Sequence, residues 1–447
     1  MKKSVFLLFI SLFINLSCQT NFNPDVEKKV LNGLSGPFGD DSFISIVECA
    51  EDSLELSSGK AYYLSLTGSD SSDGSEENPF KTFEYALSKL SAGDILWVED
   101  GKYSEKINLS SSLKGSEAAY ITIAAKNIRA ENKVIISGAE ISDDDFCLCR
   151  ITGASYIRIS GITFEDSYGL DAAGIIVSPP SSHIIIDSCT FTNIKVLDPA
   201  IEDHVANAIS CFGDSTASIN NILIYNNSCT NLATGWGECI SVTGNCENIN
   251  IIKNYVDDTG NIGIDVGGNY GYCKNAVLDF ARYVYIYNNT VKNCESAYGD
   301  TSYGIYADGG QHIQILNNKV SSCSGGIEIG AEEPQKSVNY ATCDVLVKGN
   351  EVSDCQECAL AVGGYEKKRG LVAGVSVVNN TFTDNADYEG GAIIAMSKSN
   401  EVSITNNSFI NSTAFKGEFL YKSLNDKYIK NLTVKDNTFS GIEGAEY

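Results

Sequence analysis

The sequence predicts an all-β fold, a single-stranded right-handed parallel β-helix with an N-terminal capping helix, and three observations carry that reading. One eight-residue phrase recurs ten times, asparagine holds its sixth place in eight copies, and a second short apolar strand follows in the middle coils. The copies are IRISGITF (157–164), IIIDSCTF (184–191), ILIYNNSC (222–229), INIIKNYV (249–256), VYIYNNTV (284–291), IQILNNKV (313–320), VLVKGNEV (345–352), VSVVNNTF (375–382), VSITNNSF (402–409) and LTVKDNTF (432–439). Their starts lie 27 to 38 residues apart, a period at which repeats bury a core only by stacking on one another.

The chain opens with Lys2-Lys3, an apolar run from Val5 to Ile14, and Leu16-Ser17-Cys18. A charged start with a short apolar core is a secretory signal, too short to span a bilayer. It resembles a bacterial lipoprotein signal, which implies lipidation at Cys18 and an extracytoplasmic protein, lipid-anchored to a bacterial membrane or secreted. Residues 19–58 carry no strand period and read as a tether, leaving 59–447 as the solenoid domain.

At its entrance Phe80, Phe83, Ala86, Leu87 and Leu90 fall at helical spacing behind Pro79. That pattern predicts an amphipathic helix plugging the open end of the coil, with Ile95–Val98 as the first strand. Thr67-Gly68-Ser69-Asp70, Asn78-Pro79-Phe80, Ala92-Gly93-Asp94 and Gly101-x-Tyr103 follow in an order that resembles the opening of exported bacterial right-handed β-helix proteins, pectate lyases and chondroitinase-B-like lyases among them. The resemblance implies a fold. It does not imply one reaction, because many chemistries share the scaffold.

Within the phrase, positions 1, 3 and 8 are nearly always Ile, Val, Leu or Phe, while 2 and 4 are mostly polar or large. This is the alternation of a strand with one buried face. Asn227, Asn254, Asn289, Asn318, Asn350, Asn380, Asn407 and Asn437 then sit at one corner. A buried amide there can bond its own backbone and the next coil, so a ladder is expected. The second strands are CISV (239–242), GIDV (263–266), GIYA (304–307), GIEI (326–329) and ALAV (359–362).

A net charge of −25 from 57 acidic and 32 basic residues excludes a basic face for nucleic acid. It also disfavours a polyanionic glycan unless metal ions intervene. Of 15 cysteines, Cys294, Cys323 and Cys355 each fall three residues after position 8, so they should stack as an inward row of small buried hydrophobes rather than bridges. Cys355-x-x-Cys358 has no second pair or nearby histidine to make a zinc site. A monomer is expected.

Aligning the second strands makes Ser241, Asp265, Tyr306, Glu328 and Ala361 the outward residues of successive coils, followed two places on by Thr243, Gly267, Asp308, Gly330 and Gly363. Asp265, Asp308 and Glu328 therefore gather on one solvent-facing patch, with Asp308 about 8 Å in Cα distance from each of the others. Glycines 267, 268, 309, 310, 330 and 363–364 are expected to clear the floor for a flat ligand. Trp236, Tyr270, Tyr272, Tyr298, Tyr303, Tyr306 and Tyr365 offer stacking rings, and insertions at 267–283 and 330–344 could wall a cleft. Such a site suits a polysaccharide or oligosaccharide.

GIYAD (304–308) with GIEI (326–329) resembles the strand pair of β-helical β-xylosidases, although Gly309 stands where that family has tryptophan. The resemblance implies Asp308 as nucleophile and Glu328 as proton donor, a glycoside hydrolase needing no cofactor. In a pectate-lyase-like alternative, Asp265, Asp308 and Glu328 would hold Ca²⁺ and Lys336 or Arg369 would be the base. A third reading is a non-catalytic glycan-binding or adhesin solenoid.

Overall fold

The computed structural model describes residues 59–127, 133–141, 146–198, 204–297, 302–333, 342–364, 370–424 and 427–442. The signal, Cys18 and the tether lie outside them. Almost every strand belongs to one of three parallel sheets of 13, 12 and 11 strands, and after the first two strands, which pair with each other, consecutive strands of the chain go to different sheets. Each coil therefore lays one strand on each sheet and moves on, as a solenoid must.

The recurrent phrase spans the end of a first-sheet strand, a corner and a second-sheet strand, for example Ser155–Ser160 followed by Thr163–Glu165. Its copies stack in register. Position 1 runs Ile157, Ile184, Ile222, Ile249, Val284, Ile313, Val345, Val375, Val402 and Leu432 as successive Cα partners. Position 8 brings Phe382, Phe409 and Phe439 into stacks at 4.9 and 5.5 Å between centroids. Each such side chain removed from water contributes about 1.5–3 kcal/mol, and only the neighbouring coil can remove it.

The asparagine ladder is continuous. The amide of Asn289 donates to Asn318 Oδ1 at 2.9 Å, while Asn318 Nδ2 donates to Ile286 O at 2.9 Å and Asn350 Oδ1 at 3.0 Å. The same pattern links Asn227 through to Asn437. Position 5, just before the ladder, is left-handed in coil after coil: Asn226, Asn288, Asn317, Gly349, Asn379, Asn406 and Asp436 have φ between 52° and 69°. Asn, Gly and Asp tolerate that region best, so the corner dictates both of its residues.

The entrance helix covers only Phe83–Leu87, with Thr82 as N-cap. Phe80 and Leu90 instead bury themselves from the flanking segments, at 2% and 9% exposure. Ile95–Val98 is the second strand of its sheet, since Ala61–Leu64 pairs ahead of it. All 13 described cysteines are buried, Cys294, Cys323 and Cys355 among the core residues.

Candidate active site

Strands Ile264–Gly267, Tyr303–Asp308 and Gly325–Ala331 are neighbours in the 11-stranded sheet. Ile264, Val266, Ile305, Ala307, Ile327 and Ile329 fill the core completely, so period-two alternation sends the intervening residues out of the coil. Asp265 pairs with Tyr306, Tyr306 with Glu328, and Asp308 with Gly330. The three acids thus occupy the outer wall at the expected offsets.

The wall is not open to solvent, which corrects the expectation for Asp308. Asp308 is 2% exposed and Asp265 4%, while Glu328 is half-buried. The Glu332 amide donates to Asp308 Oδ1 at 2.8 Å, and the Tyr270 hydroxyl donates to Oδ2. Tyr270 arrives on the insertion after Gly267, whose ends close through antiparallel bridges Gly267 to Gly309 and Gly268 to Phe280. Asp279 folds the tip by accepting from the Gly271 and Cys273 amides at 2.6 and 2.8 Å. Tyr272 rests on Phe212, and the Lys274 amide donates to Ser215 at 2.7 Å. An insertion read from sequence as a wall is therefore also a roof.

The glycines need correcting too. A Cβ at Gly268 would lie 2.5 Å from that of Phe280, and one at Gly309 2.6 Å from the Gly268 carbonyl. They let backbones cross, rather than clearing a floor. Gly330 and Gly267 serve the acids directly: a Cβ at Gly330 would meet the Tyr306 hydroxyl at 2.7 Å and Glu328 Oε1 at 2.9 Å, and one at Gly267 would meet Asp265 Oδ2 at 3.0 Å.

Two acids escaped sequence reasoning. Glu238, half-buried, precedes strand Ile240–Gly244, and the exposed Glu332 follows Gly325–Ala331. Neither sits on the aligned strand positions, and only three-dimensional proximity reveals them. Burial, opposed by a bond from Ser241 and aided by Glu332, pushes Glu238 up to about 7. Burial also raises Asp308 to about 6, although Tyr270, the Glu332 amide and Tyr306 hold it down. Asp265 is driven well above the carboxylate range by burial, then by Glu238, Asp308 and Glu332. Glu328 is driven well above it by burial, then by Asp308 and Glu332, with no donor in opposition. The charge state of each of these carboxyls therefore bears on that of its neighbours.

The expected rings divide. Tyr303 and Tyr306 are 9% and 3% exposed and pack with Cys358 and Ala361, so neither face is free to stack. Trp236, Tyr270 and Tyr272 are exposed. Tyr298, Tyr365, Lys336 and Arg369 lie outside the described residues. Among the described residues no three His, Cys, Asp or Glu are placed to hold a metal ion, so Asp265, Asp308 and Glu328 do not make a calcium cage. A separate concavity of about 840 Å³ lies beside the entrance helix. Its Glu105 and Glu140 are occupied by the Phe83 amide and Ser104, both at 3.0 Å.

A family model described as the right handed beta helix region matches residues 273–446. Over 354 residues, 76% of this chain and 72% of the relative, the sequence is 32% identical to uncharacterized protein YwoF of Bacillus subtilis (strain 168). The GH136 lacto-N-biosidase of Eubacterium ramulus superposes with a TM-score of 0.50 at 15% identity, covering 89% of this chain and 70% of that one. The Streptococcus pneumoniae surface protein and adhesin PfbA gives 0.54 at 12% identity, covering 80% and 92%. One is a biosidase by name and the other an adhesin, so likeness at this level speaks for the fold and the site must speak for the chemistry.

Proposed function

The chain belongs to the right-handed β-helix family, and from that premise we propose that it hydrolyses glycosidic bonds of an oligosaccharide or polysaccharide, with Asp308 and Glu328 as the working carboxyls. The observation that carries the reading is their unequal environment. Asp308 accepts bonds from Tyr270, Tyr306 and the Glu332 amide, which favour its ionised form, and it titrates at about 6. Glu328 has burial and two like charges against ionisation, which favour its protonated form. Paired carboxyls pushed apart in this way are the acid and the nucleophile or base of glycoside hydrolysis.

On this reading Glu328 protonates the leaving oxygen while Asp308 attacks the anomeric carbon or activates water against it. The Tyr270 hydroxyl gives up its bond to Asp308 as the sugar enters, so binding and uncapping occur together. Asp265 tunes Asp308 through the repulsion between their charges. The N-terminal sequence supports export and anchoring through Cys18, which would present the site to glycans outside the cytoplasm. The lyase alternative gains no metal cage from the described acids, and its bases Lys336 and Arg369 lie outside the described residues. Burial of Asp308 under Tyr270 favours, as a second reading, glycan binding without turnover.

A panel of glycans assayed for new reducing ends and for unsaturated-uronate absorbance, with and without a calcium chelator, tests these readings. Hydrolysis requires reducing ends without the chromophore, lost in both Asp308→Asn and Glu328→Gln. Chromophore that disappears with the chelator would establish the lyase instead. Binding with neither product would leave the non-catalytic reading.

A further inference from the structure

Asp265 is 4% exposed and points into the acid cluster, yet among the described residues its Oδ1 has no hydrogen-bond partner. A buried acceptor left empty costs about 1–3 kcal/mol, more when charged. Its surroundings sharpen the demand. Beyond burial, the leading influences on Asp265 are the carboxyls of Glu238, Asp308 and Glu332. Those on Glu328 are Asp308 and Glu332, and Glu238 feels Glu332. Among the described residues, no positive charge appears with the leading influences on Asp265 or Glu238, so a donor that also carries positive charge would answer both.

Resting on the hydrolase reading of this site, we infer that its substrate is a glycan bearing free amino groups, with one hexosamine ammonium seated between Asp265 and Glu238. An ammonium offers three donors and a full charge. It fills the empty acceptor of Asp265 and relieves repulsion among the carboxyls, and charge-assisted bonds are about twice as strong as neutral ones. A sugar hydroxyl would satisfy the acceptor but not the charge. A uronate would bring a further carboxylate into five, on a chain whose net charge is already −25. A compact divalent ion needs several converging ligands, and the described acids do not supply such a group. Tyr272, which feels Glu238 and Asp265, is 48% exposed, so its ring can cover the sugar or its ammonium.

The test measures binding by calorimetry to the full-length mature protein carrying Glu328→Gln, so that turnover does not intervene. The probes are a β-1,4 glucosamine tetramer, its fully N-acetylated counterpart and tetragalacturonate, each at low and high salt. The expected result is at least tenfold tighter binding of the free amine, weakening as salt rises, with tetragalacturonate weakest. Adding Asp265→Asn or Glu238→Gln should remove that preference, with a melting temperature no lower than the parent's showing the fold intact. Glu401→Gln takes the same charge from an exposed site on another sheet and should preserve the preference, separating the site from general attraction to an acidic protein. Equal affinity for amine and N-acetyl tetramers, or a preference that survives Asp265→Asn and Glu238→Gln, overturns the inference. Wild-type hydrolysis of a neutral glycan with no amine preference would sink this inference and keep the hydrolase. Amine preference in a protein that cleaves nothing would do the reverse.

Discussion

Replacing Asp308 with asparagine should change how stability depends on pH. Burial leads the influences that raise this carboxyl from 3.8 to about 6. Because the folded value lies above the unfolded one, the folded state holds the proton more tightly. The resulting stabilisation is complete below pH 3.8 and is lost as pH climbs through about 6. At about 1.4 kcal/mol per pH unit, the loss is about 3 kcal/mol. Asparagine keeps the shape and titrates nothing: its Oδ1 can still accept from the Glu332 amide, and its amino group can donate to the Tyr270 oxygen. Guanidinium unfolding midpoints at half-unit steps from pH 4 to 8 would be compared, since a repeat array need not unfold in one step. Asp166 and Asp257, held low by their own partners, titrate in both proteins and cancel. Wild-type stability relative to the variant should fall by about 2 kcal/mol between pH 4 and 7, the unfolded carboxyl being already partly ionised at pH 4. A flat difference curve would refute the buried, proton-retaining carboxyl.

Three further outcomes follow from named contacts. Tyr270→Phe removes a donor that holds Asp308 down, so the acidic limb of the kcat/KM profile should move to higher pH by about 1 unit; an unmoved limb would detach Tyr270 from the site. Asn318→Ala orphans the Asn289 amide and the Ile286 carbonyl, costing about 2–5 kcal/mol in denaturant unfolding. Asn437→Ala at the half-buried end of the ladder, where water can substitute, should cost about 1 kcal/mol or less, and equal costs would contradict the ladder argument. The 13 described thiols are all buried, so they should react with an aromatic disulfide reagent only after guanidinium is added.

Most of the solenoid was legible because its local and global periods agree. Apolar residues at positions 1, 3 and 8 can be buried only by the coil above or below. The corner signal was richer than the asparagine alone: the left-handed position 5 explains why Asn, Gly or Asp so often comes just before it. The entrance helix was read too long because helical spacing at Phe80 and Leu90 reports burial, which turns achieve equally well.

By itself the sequence determined which residues face outward, since strand alternation and ladder register place Asp265, Asp308 and Glu328 on one wall. Tertiary structure decided what lies above that wall. The insertion carrying Tyr270 covers Asp308, Glu238 and Glu332 join from off-register positions, and among the described residues Asp265 is left with an unanswered acceptor. The physical reason is that register follows from local periodicity, whereas burial and the coupling of carboxyls depend on which distant segments fold back over them. No repeat encodes those segments.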